Sequence, residues 1–285
     1  MIAPGHFDIE TVPVSLRAPL EGLMSGSDIK LPILSASISK LLATCNQDCP
    51  DMDQIIHLVS TDQGLCAHVL RLSNSAAYAP VNELVTVTDA VRRVGIRAIG
   101  DMAIGHLILN GLAHRDTAEL KSLWRHAAVR GLYSYRIGSA LGLRSKASLM
   151  PGLLMDIGRP LALGFMDEIE QLIGESLDPD VRHYLAEDLH VELGMRLVET
   201  WQLPIEIGAA IEFHDDYKNA GGFALEAKIA NLASVLTQWA MDPEEIPNES
   251  LMELEIVKDL EMTERMLSQL MSSTEEILAT AKSLE

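Results

Sequence analysis

The chain has 285 residues, of which 48% are hydrophobic, so it can build a substantial core without covalent cross-links. Its 22 Lys and Arg residues against 41 Asp and Glu residues give a formal charge of −19. This charge disfavours nucleic-acid binding, which depends on cations that neutralise phosphates. Three cysteines are too few for a disulfide framework, and no segment reaches the roughly 18 consecutive apolar residues of a membrane helix. We therefore expect a soluble, cytoplasmic protein that binds neither nucleic acid nor membrane.

Residues 1–27 carry scattered Pro, Gly and Ser with no sustained hydrophobic period. This pattern predicts an extended lead-in, or one or two strands. Helical spacing of apolar residues begins after Leu31 and predicts an N-terminal helical part over residues 28–115. Within it, Asp62 is placed to cap a helix and Gly95 to end one.

Residues 116–245 continue with longer helical patterns. Residues 120–138 form an amphipathic pattern with His126 at the flank of its apolar stripe. Asp178 followed by Pro179 is a strong helix start, because an Asp cap precedes a Pro at the first helical position. Pro204 opens a further helix that ends at His214. Strand-like alternation is almost absent, so the predicted fold class is all-α.

Pro243 and Pro247 mark a predicted boundary, after which residues 246–285 form an acidic, Met-rich tail. Its apolar spacing predicts two amphipathic helices. These helices would pack either on the domain or on a second copy of the chain, so a homodimer through them is one expectation.

A single acidic residue, Asp156, lies in the apolar run Pro-Gly-Leu-Leu-Met-Asp-Ile-Gly-Arg-Pro at residues 151–160. Trp124 and His126 precede it by about thirty residues, and His190 and His214 follow it. Together with Leu-Arg-Leu-Ser-Asn-Ser-Ala-Ala-Tyr at residues 70–78, this order of motifs resembles the HDOD domain family, a branch of the HD superfamily of metal-dependent phosphohydrolases. The resemblance covers residues 28–245 and implies an all-α, HD-type helical bundle preceded by a helical subdomain.

The resemblance also implies a candidate site that is formed by four residues, His126, Asp156, His190 and His214. The sequence departs from the catalytic HD pattern at several positions. Met155 stands where the pattern has the His of its central His-Asp pair, Asp215 stands where a second His often follows, and Asn231 and Ser234 stand where a late Asp is needed. A thioether does not suit the ions of phosphoester hydrolysis, so Met155 is predicted to fill the core.

Three states of this site remain open on the sequence: a competent metal site, a weak or adventitious divalent metal, and a metal-free polar remnant. We predict the last, with no cofactor. The preferred function is a non-catalytic regulatory protein of bacterial signal transduction, which binds a protein partner through its acidic helical surface and a small ligand in the remnant cleft. The alternative is a metal-dependent phosphohydrolase that acts on a nucleotide or a cyclic dinucleotide.

Overall fold

The computed structural model describes residues 14–25, 31–32, 34–47, 49–75, 78, 83–111, 118–143, 148–242 and 246–283. Throughout these residues the regular structure is helical and contains no strand, which confirms the predicted all-α class. None of the described helices combines the length and the apolar character needed to cross a bilayer. The boundaries predicted near residues 27, 115 and 245 lie outside the described residues and stay predictions.

The α-helices, in chain order, have the following bounds: α1 Val14–Ser25, α2 Ala36–Cys45, α3 Met52–Thr61, α4 Gln63–Ser73, α5 Val87–Val94, α6 Ile96–Gly111, α7 Ala118–Ala140, α8 Met150–Leu154, α9 Gly158–Ile173, α10 Pro179–Thr200, α11 Ile205–Phe213, α12 Ala224–Met241, α13 Asn248–Leu251, α14 Glu255–Asp259, α15 Glu264–Ser272 and α16 Thr274–Ser283.

Side-chain caps define several of these helix starts. The Asp62 carboxylate accepts from the Leu65 N–H at the start of α4, and Asp178 caps α10 with Pro179 directly after it, both as predicted. Gly95 ends α5 with a φ of 89°, a conformation that glycine adopts without strain. Asn74 ends α4, and its side chain hydrogen-bonds the backbone carbonyl of Leu70 as well as the backbone of Leu84. Asn74 therefore has a structural role, which is the role that its position at a helix end predicts.

The predicted extended lead-in is wrong for its described part, because Val14–Ser25 is helical. Leu16 and Leu20 lie one turn apart and are fully buried, in contact with the hydrophobic cluster that includes α9. Pro19 lies inside this helix and supplies no N–H for the i to i−4 bond. Tertiary burial of the two leucines thus outweighs the low helix propensity that the sequence indicates.

Two large hydrophobic clusters make up the core. The first joins α3–α7, α12 and the C-terminal helices, and the second joins α1, α2 and α8–α11. Each cluster takes residues from both sides of the predicted division at residue 115. The N-terminal helical part and the HD-like part therefore share their core in this structure.

The C-terminal helices pack on the body of the same chain, chiefly on α7 and α12. Many of their apolar residues are buried, including Leu251, Val257 and Ile277. Polar contacts add to this packing, since Tyr133 hydrogen-bonds with Thr274 at 2.7 Å. Of the two arrangements expected for the tail, the structure has the one on its own domain. A homodimer through these helices stays a prediction, but their apolar faces already have an intramolecular partner.

Two glycines bring the central helices unusually close together. A Cβ atom on Gly152 in α8 would lie 2.3 Å from the carbonyl oxygen of Arg130 in α7, and one on Gly158 in α9 would lie 1.8 Å from that of His190 in α10. Only residues without a side chain allow such contacts. Because these glycines flank Asp156, the turn that carries Asp156 is pressed between α7 and α10.

Candidate functional site

Asp156 lies in the turn between α8 and α9 and is 9% exposed. A carboxylate at this depth must be paired or hydrogen-bonded, since burial of an isolated charge is costly. Within the described residues, a group of possible metal-binding side chains forms around it. Ligand atoms of Asp156, His190 and His214 all lie within 4.8 Å of one another.

The two histidines present the same ring nitrogen to the carboxylate. Nδ1 of His190 lies 2.5 Å from the Glu187 carbonyl oxygen, and Nδ1 of His214 lies 2.8 Å from the Ile211 carbonyl oxygen. A carbonyl oxygen only accepts, so each Nδ1 carries the hydrogen, and Nε2 of each neutral ring holds the free electron pair. Nε2 of His190 and of His214 lie 3.8 Å and 3.6 Å from Asp156 Oδ1. Three electron-pair donors therefore converge on one point.

Two arginines also reach the Asp156 carboxylate. Arg130 of α7 forms an ion pair with Oδ2, and the side chains of both partners are only about one-tenth exposed. Nε of Arg159, three residues after Asp156, lies 3.4 Å from Oδ1. Arg159 also donates to Glu187 of α10 at 2.8 Å. The candidate site is thus a buried ionic network that ties α7, α9 and α10 to the turn.

The pKa of Asp156 follows from this network. Burial opposes ionisation of the carboxyl, but the charges of Arg130 and Arg159, with smaller contributions from His214 and His190, hold its pKa below the ordinary value. Burial lowers the pKa of His190, although its hydrogen bond to the Glu187 carbonyl and the nearby Asp156 act in the opposite direction. At neutral pH, Asp156 is therefore charged and the His190 ring is neutral.

His126, the fourth predicted site residue, does not join this group. Its Nδ1 lies 2.7 Å from the carbonyl oxygen of Ser122, one turn earlier on α7. It is absent from the set of described ligand atoms that converge with Asp156. The residue of α7 that does reach the carboxylate is Arg130, one turn after His126. His126 therefore lies outside the converging group, and its role in a ligand-binding cleft stays a prediction. Sequence reasoning missed Arg130, Arg159 and Glu187.

The departures from the catalytic pattern have clear structural roles. Met155 is 1% exposed and packs against Ala210 and Ala230, as expected of a residue that fills the core. The Asn231 side chain donates to the His214 backbone carbonyl at 2.7 Å and so supports the end of α11. Asp215 is exposed, with Oδ2 at 3.4 Å from His214 Nε2. It lies at the solvent side of the cluster.

The donor set can be tested against a divalent cation by counting charge. Asp156 and Glu187 are balanced by Arg130 and Arg159, and the exposed Asp215 adds one negative charge at the solvent side. At an effective dielectric constant of about 20, two unit charges 4 Å apart interact by about 4 kcal/mol. A divalent ion here would meet one carboxylate and two guanidinium groups. The histidine geometry suits a metal, and Asp156 Oδ1 and His190 Nε2 are buried without a hydrogen-bond partner in the described part of the chain. The two guanidinium groups, in contrast, oppose the charge of a divalent ion.

An all-α bundle with a buried aspartate and two facing histidines defines a protein of the HD type. The HDOD domain family model matches residues 31–217, which is more than half of the chain. The chain therefore belongs to the HDOD domain family. It is 24% identical over 228 residues to an uncharacterized protein of Treponema pallidum (strain Nichols), covering 77% of this chain but only 44% of that protein's length.

Solved structures with the same fold come from other bacteria. A protein of Shewanella amazonensis SB2B, provisionally named a metal-dependent phosphohydrolase, has a TM-score of 0.70 at 15% identity, with 93% of this chain and 97% of that chain covered. An HDOD domain protein of unknown function from Geobacter sulfurreducens has a TM-score of 0.68 at 22% identity, with 98% and 99% covered. A provisionally named signal transduction protein of Marinobacter aquaeolei VT8 has a TM-score of 0.66 at 19% identity, with 97% and 68% covered. At these identities the likeness shows the shared fold.

Proposed function

We propose that this protein is a non-catalytic regulatory member of its family, which acts by binding a protein partner and not by hydrolysing a phosphoester. The observation that carries the proposal is the ion pair of Arg130 with Asp156. A guanidinium group there supplies the positive charge that a metal ion supplies in a hydrolytic centre. With Met155 as a neighbour in place of a third imidazole, the cluster holds the bundle together as a polar core.

A protein partner is favoured by the surface charge. The chain carries a net charge of −19, and its buried arginines at residues 130, 159 and 182 already neutralise buried or half-buried acids. The exposed surface is therefore strongly acidic and would attract a basic partner at long range. A role in signal transduction agrees with the name given to the Marinobacter neighbour. Binding of a small ligand in the remnant cleft stays a prediction.

The second candidate function is a metal-dependent phosphohydrolase. It is favoured by one specific observation, the hydrogen bonds from Nδ1 of His190 and His214 to backbone carbonyls. Histidines that ligate metals commonly donate their other ring N–H in this way. The name of the Shewanella neighbour points to the same activity.

Metal content and hydrolysis, measured on one preparation, separate the two functions. The full chain would be purified without chelators, analysed for metals, and assayed on bis(p-nitrophenyl) phosphate with added Mn²⁺. We expect far less than one ion per chain, and any hydrolysis should be unchanged in Asp156→Asn. One tightly bound ion per chain, together with hydrolysis that Asp156→Asn abolishes, would establish the enzyme and overturn the regulatory proposal.

A further inference from the structure

A separate cavity of about 340 Å³ lies between the N-terminal helical part and the HD-like part. Helices α2 and α6 form one side, and α8 with the segment that begins α11 forms the other. Its volume falls in the range of pockets that hold small molecules. None of its described lining residues belongs to the Asp156 cluster, so the cavity is a site of its own.

The apolar part of the lining is aliphatic and comes from Leu42, Ile104 and Ile207, among others. These side chains belong to helices from both parts of the protein, and all three are less than a tenth exposed. Arg97, which is exposed, lies at the open edge of the cavity. The cavity thus has an apolar interior and a mouth that reaches solvent, and a ligand could enter without opening the core.

Asp101 supplies a buried charge to this apolar lining. It is 6% exposed, and its Oδ2 accepts both the Ser148 hydroxyl at 2.8 Å and the Leu149 N–H at 2.9 Å. No donor in the described part of the chain hydrogen-bonds Oδ1. Oδ1 is not among the fully buried side-chain atoms without a partner, so it faces open space and can meet water or a ligand. Oδ2 of Asp101 therefore has a structural role, and Oδ1 is available to a ligand at the cavity wall.

The charges around the cavity favour a cationic ligand. Asp101 and Glu206 contribute two carboxylates, against the single guanidinium of Arg97. Burial raises the pKa of Asp101 to about 6, although its two hydrogen bonds and the charge of Arg97 act in the opposite direction. The carboxyl is therefore mainly ionised at neutral pH, in surroundings where a nearby cation would lower its free energy.

We propose that this cavity binds a small organic molecule with an apolar body and one protonated amine. The ammonium group donates to Asp101 and lies between it and Glu206, while the apolar body packs on the aliphatic wall. Because α2 and α6 line one side of the cavity and α8 with the start of α11 lines the other, a bound amine would bridge the two helical parts. On the proposed regulatory function, the site would give the protein a small-molecule input.

Tryptamine and tryptophol test the charge requirement, because they differ only in an ammonium group against a hydroxyl. Each would be titrated into the ¹⁵N-labelled full chain at pH 7 and followed by NMR chemical shifts, with indole-3-acetate as the anionic probe. We expect saturable tryptamine binding with shifts around Gly100 and Ile207, at least tenfold weaker binding of tryptophol, and no binding of indole-3-acetate.

Variants then locate the binding. Gly100→Leu should abolish it by filling the cavity, because a Cβ at Gly100 lies at ordinary distances of 3.7 Å from Cys45 Cβ and 3.8 Å from Leu42 Cδ2. Glu206→Gln should weaken tryptamine binding by about tenfold and leave tryptophol binding unchanged. Glu226→Gln on α12, which does not line the cavity, is the matched control. If Gly100→Leu does not fold, the comparison of Glu206→Gln with Glu226→Gln tests the proposal by itself.

The proposal fails if tryptamine does not bind, if tryptophol or indole-3-acetate binds as tightly, or if a folded Gly100→Leu binds tryptamine like the wild type. It also fails if Glu206→Gln and Glu226→Gln have the same effect. These results are independent of the metal and hydrolysis measurements, since the two sites share no residue.

Discussion

Removal of the Arg130 charge should destabilise the fold and create a metal site in the same step. In Arg130→Met the side chain keeps an unbranched apolar stem but loses the guanidinium group, which leaves Asp156 without its Oδ2 partner. Loss of one partner from a buried ion pair typically costs about 3–5 kcal/mol. Arg159 still lies 3.4 Å from Oδ1, so we expect the lower end, about 3 kcal/mol.

The variant should gain affinity for Zn²⁺ because the network then carries a net negative charge. The Asp156 carboxylate and the Nε2 atoms of His190 and His214 supply three ligands of the kind that zinc prefers. Binding at a free concentration one hundred times the dissociation constant stabilises the folded state by about 2.7 kcal/mol. Zinc should thus recover most of the lost free energy of unfolding, whereas the wild type should not respond to zinc.

Urea unfolding with and without Zn²⁺ measures both effects. Arg182→Met is the matched control, because Arg182 pairs with Asp167 and Glu170 at 2.8 Å each and is similarly buried, with no histidine pair beside it. This control should lose stability without any zinc response. If zinc stabilises the wild type as much as Arg130→Met, or if Arg130→Met is as stable as the wild type, the guanidinium is not the cation of the cluster.

Three further outcomes follow from the packing and the buried acids. Gly158→Ala would place a Cβ 1.8 Å from the His190 carbonyl oxygen, and it should lower the free energy of unfolding in urea by more than about 3 kcal/mol. The control is Gly164→Ala in the same helix, where a Cβ would have nothing within 4 Å; it should be neutral or stabilising by about 0.5–1 kcal/mol. Burial raises the pKa of Asp101 from 3.8 to about 6, so the folded state holds this proton more tightly. The contribution of Asp101 to stability should therefore fall by about 2 kcal/mol between pH 4 and pH 6, and Asp101→Asn should remove this part of the pH dependence. Ile277→Ala should cost about 2–4 kcal/mol if α16 belongs to the core, and an unchanged unfolding midpoint would show that the tail is dispensable.

The sequence predicts the elements of this fold well where local signals are strong. Asp178 and Pro179 mark the start of α10 because capping and a proline at the first helical position are local effects. Helix α1 could not be predicted because Pro19 lowers its local helix propensity, and its packing against α9 depends on tertiary structure. The packing of the C-terminal helices on α7 could not be predicted either, because an apolar stripe does not indicate which surface covers it.

The candidate site could likewise be predicted from the sequence only in part. Motif order selects Asp156, His190 and His214, which the structure brings together, whereas His126 lies outside this group and Arg130 of the same helix reaches the carboxylate. A signal for Arg130 was present, because a predicted buried carboxylate requires a counter-charge and Arg130 lies one helical turn beyond the expected ligand. The sequence alone could not choose between the two, since the choice depends on how closely α7 approaches the turn. That approach is set by Gly152 against the Arg130 backbone.

This close approach links the packing of the bundle to the chemistry of the cluster. A metal ion and a guanidinium group are alternative ways to neutralise a buried carboxylate, but only the ion leaves open positions where water can bind and be activated. Arg130 and Arg159 both contact the Asp156 carboxylate, and each guanidinium fills its position with N–H groups that cannot accept a proton from water. The histidines keep the orientation of metal ligands because the same Nδ1 hydrogen bonds also anchor the ends of helical turns in α10 and α11. On the proposed regulatory function, geometry of the HD type serves the packing of the helices, and two guanidinium groups supply the positive charge beside Asp156.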